Sequence, residues 1–460
     1  MPAKPEQPLY NQALIVDLYE LTMAAGYFEN RYNPWSTFEI FVREMPPHRS
    51  YLVSAGLQQA VEYLLHLRFT PAEIDYLRGL PVFKHVSSEF FDFLGEFRFT
   101  GDVWAIPEGQ IYFPGEPLLR VSAPIIQAQI VETFLLSTFN FQSMIATKAS
   151  RVVYAAHSDG RERGVLEFGS RRAHGPEASL LAARASYIAG CMGTSNVLAG
   201  MKFGIPVYGT AAHSWTMAFP TEAEAFRAYH RVFPESTILL IDTYDVLEGA
   251  RRATHLGPGI RGVRIDSGDL LRVSRQVRRI LDDAGLHRAI IVASGDLNEY
   301  RIKELVDQGA PIDAFGVGTQ MVTSEDAPSL GGIYKLVEQI IDGRVRYRAK
   351  FSLNKATYPG KKQVFRLVDQ HQGFVKDVIG LEDDEIPEEH FTLLVPIIEK
   401  GKLIYPLPVL EDIRSGFLEN FARLDDRFKR FHEPETYPVR YSRKLQNLFN
   451  QLKAREVHHQ

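Results

Sequence analysis

The sequence predicts an α/β protein: an irregular α/β barrel with a β-rich domain formed by the amino- and carboxyl-terminal parts of the chain. Three observations predict it. Short apolar runs recur at 164–172, 194–200 (a weaker one), 206–214, 237–245, 262–269, 289–296 and 313–319, with helical stretches at 177–190, 221–231, 270–284 and 298–308. Strand–helix alternation of this kind implies parallel strands joined by crossovers. Nearly every run also ends in residues able to do chemistry: Arg171 and Arg172, Thr210 and His213, Asp242, Asp266 and Asp269, Ser294 and Asp296, Thr319. A barrel spreads such residues over many strand ends, whereas an open sheet gathers them at one switch point. Finally, residues 100–124 and 330–410 are alternating and rich in turn residues, as expected of strands from the two ends packing together.

Along the chain, the polar first 10 residues read as an arm. Leu14, Leu18, Leu21 and Ala25 give 11–29 helical spacing. Residues 36–44 alternate as a strand, 52–67 and 71–77 read as helices, and 126–157 as a helix with a long apolar face. The tail, 411–455, is charged and helical. The expected division is 1–157, 158–330 and 331–460, which agrees with the two to four domains that roughly 100–200 residues per domain allow.

A net charge of −4 argues against a general nucleic-acid binder. The single cysteine, Cys191, allows neither an internal disulfide nor a thiolate zinc cluster. The opening residues lack a basic stretch followed by a long apolar one, and no apolar run reaches about 18 residues. A cytoplasmic protein with no membrane partner is expected.

The runs ending in Ser294–Gly295–Asp296 and Gly318–Thr319 place small residues where a strand opens toward a helix. Backbone N–H groups there bind phosphate well, and in barrels the phosphate site commonly follows the last two strands. Glycines that simply turn the chain are the plain alternative. In 262–270, Arg264 and Asp266 alternate and so share a face, with Asp269 following. Arg264 there either meets a carboxylate ligand in two-pronged fashion or pairs internally with Asp266. Asp242, Asp266 and Asp269 suit ribose hydroxyls or Mg²⁺ through water, the alternative being helix capping by Ser267 or Asp269. His213 is a structural histidine or a proton or phosphoryl carrier. Tyr19 by its spacing is a core aromatic, and Lys361, Lys362 and Arg366 form either a solvated turn or a ligand clamp.

These segments resemble a known family. DLYELTM (17–23), EFGSRRAHGP (167–176), GTSNVLAG (193–200), GTAAHS (209–214), DTYD (242–245), VRIDSGDL (263–270), GVGT (316–319), LGGIYKLVE (330–338) and PGKKQVFR (359–366) are similar, in order and spacing, to nicotinate phosphoribosyltransferases. The resemblance covers about residues 11–449. It implies a homodimer with active sites near the subunit interface, joining nicotinate to phosphoribosyl pyrophosphate with Mg²⁺, and ATP as co-substrate. By the same resemblance, Tyr19 stacks on the pyridine ring, from the partner subunit or its own. Thr210 and Arg264 contact nicotinate. Ser294, Gly295, Asp296, Gly318 and Thr319 hold the phosphate, and His213 is phosphorylated by ATP. In such a mechanism Arg171 and Arg172 neutralise the leaving pyrophosphate while Asp242 and Asp266 fix the ribose. Two positions depart from the family pattern: Met192, where an acidic residue is common, and Ser170, where an apolar one occurs. The competing readings are a transferase for nicotinamide or quinolinate, a barrel aldolase, and a non-catalytic pyridine-nucleotide binding protein. The aldolase is disfavoured because no run ends in a Schiff-base lysine.

Overall fold

The computed structural model describes residues 12–352 and 356–458, without the side chains of 456–458. The arm expected over 1–10 lies outside the described residues.

Six parallel strands form the barrel wall, in the order Gly193–Thr194, Gly164–Glu167, Ala314–Val317, Ile290–Ala293, Gly262–Ile265, Ile238–Leu240. Val207 continues the wall through one parallel bridge to Thr194. The strands are short and almost wholly buried because crossover helices cover them. The helix Leu270–Asp283 shows how: Leu270, Val273, Val277 and Leu281 recur at helical spacing and are buried, with arginines between them.

A seven-stranded antiparallel sheet lies beside the barrel. Its order is Arg344–Tyr347, Gly332–Ile341, Trp35–Val42, Leu119–Pro124, Asp102–Ala105, Val395–Glu399, Lys402–Leu403. Strands from the carboxyl-terminal part thus flank the amino-terminal ones on both sides. A second sheet, His390–Thr392, Lys362–Val368, Phe374–Leu381 and Val439–Tyr441, is tied to the first by the Arg120–Glu382 and Lys362–Glu39 ion pairs.

The helix Glu132–Ala156 joins the two bodies. Phe134, Leu135, Phe139 and Met144 belong to the core of the seven-stranded sheet. Ile145, Ala149, Val152 and Ala156, further along the same helix, belong to the barrel core.

Several elements differ from the sequence reading, for local reasons. The 194–200 run is a strand only at Gly193–Thr194. Asn196 then caps the helix Val197–Phe203 by accepting from the Ala199 amide, and cap chemistry overrides the apolar run. The 206–214 run makes one bridge and turns into the helix His213–Met217. Over 52–67, Leu52–Val53 is a strand, and the helix begins at Leu57 after Gly56, whose φ of +112° a side chain rarely adopts. The 126–157 stretch is two helices parted at Val131, and 11–29 becomes helical only at Leu18. A crossover helix, Val246–Thr254, carried too weak an apolar pattern to be expected. The 411–455 tail is interrupted between Arg423 and Arg443 by a turn and the strand Val439–Tyr441. The basic hairpin is no ligand clamp: Lys362 is buried against Glu39 at 2.6 Å, and Arg366 is buried on Asp377. Among the described residues, no helix is long and apolar enough to cross a membrane.

Candidate active site

Parallel register sets the carboxyl ends of neighbouring strands side by side, with Arg264 opposite both Leu240 and Val292. Side chains at those ends therefore converge. Arg264 donates from Nε to Ser294 Oγ at 2.8 Å and from one terminal nitrogen to Thr210 Oγ1 at 3.0 Å. Its other terminal nitrogen donates to Asp266 Oδ1. A guanidinium has five N–H donors, so two remain for a ligand. Beneath it the Phe168 ring centre lies 5.8 Å away, within cation–π range. Burial works against the Asp266 charge, yet bonds from Ser294 and Arg264 outweigh it and hold the carboxyl below the ordinary carboxylate range. Asp266 is thus an anion at neutral pH.

Asp242 Oδ2 accepts from the Asp266 amide at 3.0 Å and from Ser267 Oγ at 2.6 Å. Its Oδ1 is buried with no hydrogen-bond partner among the described residues. A buried carboxylate oxygen is costly to leave unpaired, so it is an acceptor poised for a ligand hydroxyl or a hydrated cation. His213 opens the helix His213–Met217, its Nδ1 3.1 Å from Thr243 Oγ1 and its Nε2 4.0 Å from Asp266 Oδ2. The ring is half exposed, oriented by a hydroxyl on one side and facing a carboxylate on the other.

Two loops complete the rim. After Ala293 the chain turns through Gly295 and Asp296, with φ of +91° and +46°. A Cβ on Gly295 would sit 2.0 Å from the Asp266 carbonyl oxygen, so only glycine fits this close passage. After Val317, Gly318 precedes the short helix Thr319–Val322. Beside that helix, at the end of the neighbouring strand, Ser170–Arg172 forms a single turn. Buried Glu167 holds that turn, accepting from the Gly169 amide and from Thr194 Oγ1.

Family models for nicotinate phosphoribosyltransferase match three consecutive parts of the chain: the amino-terminal domain over 14–140, the family core over 164–357 and the carboxyl-terminal domain over 389–449. A nicotinate phosphoribosyltransferase of Mycobacterium tuberculosis is 45% identical over 94% of this chain and 92% of its own length. The chain belongs to the nicotinate phosphoribosyltransferase family. The Bacillus subtilis nicotinate phosphoribosyltransferase is 37% identical over 96% of both chains. The crystal structure of human nicotinic acid phosphoribosyltransferase superposes with a TM-score of 0.83 at 31% identity, covering 95% of this chain and all of that one. A nicotinate-nucleotide pyrophosphorylase from Pyrococcus furiosus follows at 0.72 and 26%, covering 91% of this chain and 99% of that one. As a nicotinate phosphoribosyltransferase the chain is an enzyme, and the fold expected from sequence is the one observed.

Within this family member, Thr210, His213, Asp242, Arg264, Asp266 and Ser294 form one hydrogen-bonded or facing cluster. The Ser294 hydroxyl bonds Arg264 and Asp266. Asp269 caps the helix Leu270–Asp283 by accepting from the Arg272 amide. Arg171 and Arg172 are both exposed and have no ion-pair partner among the described residues. Ser170 accepts from Asn196 Nδ2 at 3.1 Å, which explains a polar residue before the arginines. Met192 is partly exposed, and its sulfur lies where a Cβ on Gly164 would come within 3.0 Å.

Tyr19 stands apart. It lies on the helix Leu18–Glu29, which packs on Ile125–Ile130 and Ser88–Gly95 rather than on the barrel. With Met23, Tyr27, Gln129, Glu132, Tyr334 and Lys335 it lines a cleft of about 400 Å³. Tyr19 is itself exposed, so the core reading of its helical spacing fails. Behind it, Glu20 is fully buried and accepts from Thr133 Oγ1. Burial, with help from Glu132 and Asp17, pushes the Glu20 carboxyl up to about 7 against the Thr133 bond. Sequence reading missed Phe168, Glu167 and Thr243. The first two lie inside EFGSRR, where an aromatic and an acid closing a strand were the available signal; Thr243 follows Asp242 directly.

Proposed function

We propose that the enzyme joins the ring nitrogen of nicotinate to C1 of phosphoribosyl pyrophosphate, giving nicotinate mononucleotide and pyrophosphate. The observation that carries this reading is Arg264, fixed on three sides by Thr210, Ser294 and Asp266 with two donors left over. A held, planar guanidinium is matched to a carboxylate rather than an amide. Phe168 supplies an apolar wall for the pyridine beside that cation.

The nitrogen lone pair forms the new bond as the C1–oxygen bond to pyrophosphate breaks. Positive charge grows on the sugar and negative charge on the leaving group, so catalysis rests on positioning and electrostatics. Asp266, kept ionised, and Asp242, with its unpaired Oδ1, suit the sugar side. The exposed Arg171 and Arg172 suit the departing pyrophosphate, and the turns at 294–296 and 318–319 suit the ribose phosphate. Among the described residues no group of three or more histidine, cysteine or acidic side chains is placed to hold a metal. Mg²⁺ arriving with the substrate phosphates needs at most one or two protein carboxylates, and Asp242, with its unpaired Oδ1, is the candidate. Such an ion would neutralise pyrophosphate charge.

In this reading ATP phosphorylates His213, whose half-exposed ring Thr243 orients. The added charge, roughly −1.5 to −2 by analogy with other phospho-residues, draws the rim arginines into place. The enzyme works in the cytoplasm as a homodimer, and Tyr19, remote from its own Arg264 cluster, completes the partner's site by stacking on the pyridine. Product formation with phosphoribosyl pyrophosphate and Mg²⁺ tests this, offering nicotinate, nicotinamide and quinolinate separately, with and without ATP. Turnover of nicotinate alone, faster with ATP, is expected. Preferential turnover of either other base would overturn the Arg264 assignment, and no turnover at all would favour a binding protein.

A further inference from the structure

We infer that Lys148 is a positioning residue for the phosphoribosyl donor, its ammonium fixing the spacing between the two loops assigned to phosphate. This rests on that assignment. Lys148 lies on the helix Glu132–Ala156 and is almost fully buried. Its Nζ is 2.5 Å from Glu299 Oε2 and 2.8 Å from Asp326 Oδ1. Glu299 is the first residue of the helix Glu299–Asp307, directly after the 294–298 turn. Asp326 lies in the turn that directly follows the helix Thr319–Val322. One ammonium therefore bridges the far end of the first loop and the turn behind the short helix that the second loop opens.

Two further cations brace the bridge. Arg151, also on the long helix, donates from Nε to Glu299 Oε1 at 2.9 Å. Arg49 grips both oxygens of Asp326 at 2.8 and 2.9 Å. Burial opposes both carboxylate charges, yet the surrounding cations hold Glu299 and Asp326 below the ordinary carboxylate range. Three cations thus face two carboxylates, leaving one unit of positive charge beneath loops that present backbone N–H groups. A bridge serving stability alone would gain little, because a buried ion pair is often no better than a packed apolar pair. Spacing two anion-binding loops and biasing them toward a phosphate gives these charges a function that apolar packing could not supply.

Steady-state kinetics of the full-length enzyme test this, with Lys148→Met, Asp326→Asn and Thr319→Ala compared for both substrates and urea melts run on each. Asp326 is partly exposed, so its isosteric variant keeps the experiment decisive if Lys148→Met fails to fold. The expected result for Asp326→Asn is a KM for phosphoribosyl pyrophosphate raised by about tenfold, the size of one lost charge-assisted bond, with the KM for nicotinate and kcat near wild type. If folded Asp326→Asn keeps the wild-type donor KM while Thr319→Ala raises it, the positioning role is wrong. Parallel rises in both KM values would also overturn it, as a merely structural effect. If Thr319→Ala itself leaves the donor KM unmoved, the phosphate-loop assignment falls and takes this inference with it.

Discussion

At the scale of single residues, Arg264 and Asp266 answer a question the sequence posed as a choice. The arginine is paired internally with Asp266 and still keeps donors for a ligand. Alternation along one strand placed the pair on one face, but the Thr210 and Ser294 partners come from positions 54 and 30 residues away and leave no local pattern. Replacing Arg264 by lysine should raise the KM for nicotinate by about 10- to 150-fold, from the roughly 1.5–3 kcal/mol carried by bonds to charged groups, and spare the donor KM. Kinetics with each substrate varied in turn would check this. His213→Ala should keep basal turnover and lose stimulation by ATP; a variant stimulated as fully as wild type would remove His213 from the ATP role. Glu20 gives a pH signature. Its carboxyl is pushed up from 4.5 to about 7 in the folded chain, so between those values the native state binds more protons than the unfolded one. Stability should therefore fall as pH rises through that window and level off above it. Urea midpoints across the window should show this slope in the wild type and a flatter profile in Glu20→Gln.

Elements were legible in proportion to how far their burial pattern is local. Strands at 164–167, 238–240, 262–265, 290–293 and 314–317 are largely buried, so they read as short apolar runs, interrupted only by Glu167 and by Arg264 of the site. Helices with a regular apolar stripe, such as Leu270–Asp283, were equally plain. What escaped was decided by single backbone features: a left-handed Gly56, the Asn196 cap, the break at Val131. The turns proposed to bind phosphate belong to the same category. Strand ends and glycines located them, but not the passage of Gly295 against the Asp266 carbonyl. Gly295→Ala should combine about 1–3 kcal/mol of left-handed strain with a steric clash. The expected result is a lower urea midpoint at unchanged slope and weakened donor binding; an alanine variant with wild-type midpoint and donor KM would show the turn to be slack.

For the whole molecule, the separation of Tyr19 from the Arg264 cluster leads to a complementation experiment. A two-fold dimer with shared sites contains each composite site twice. Co-expressing Tyr19→Ala chains with Arg264→Ala chains should produce hybrid dimers in which one site carries both defects and the other carries neither. Activity of the mixture above that of either parent is expected. Activity no greater than the parents' would confine Tyr19 to its own subunit.

The helix Glu132–Ala156 has a consequence for how such a chain can be divided. Its first half is core to one body and its second half to the other, where it packs on Pro176–Ile188 and Glu299–Asp307. A cut between 157 and 158, where the sequence suggested a boundary, would strip the catalytic barrel of an inner wall and leave that apolar surface in water. Gene fission at this point, or a reporter built by splitting the enzyme there, should give two insoluble pieces, whereas insertions into surface turns such as the one at Gly160, where an added side chain would meet open space, should be tolerated.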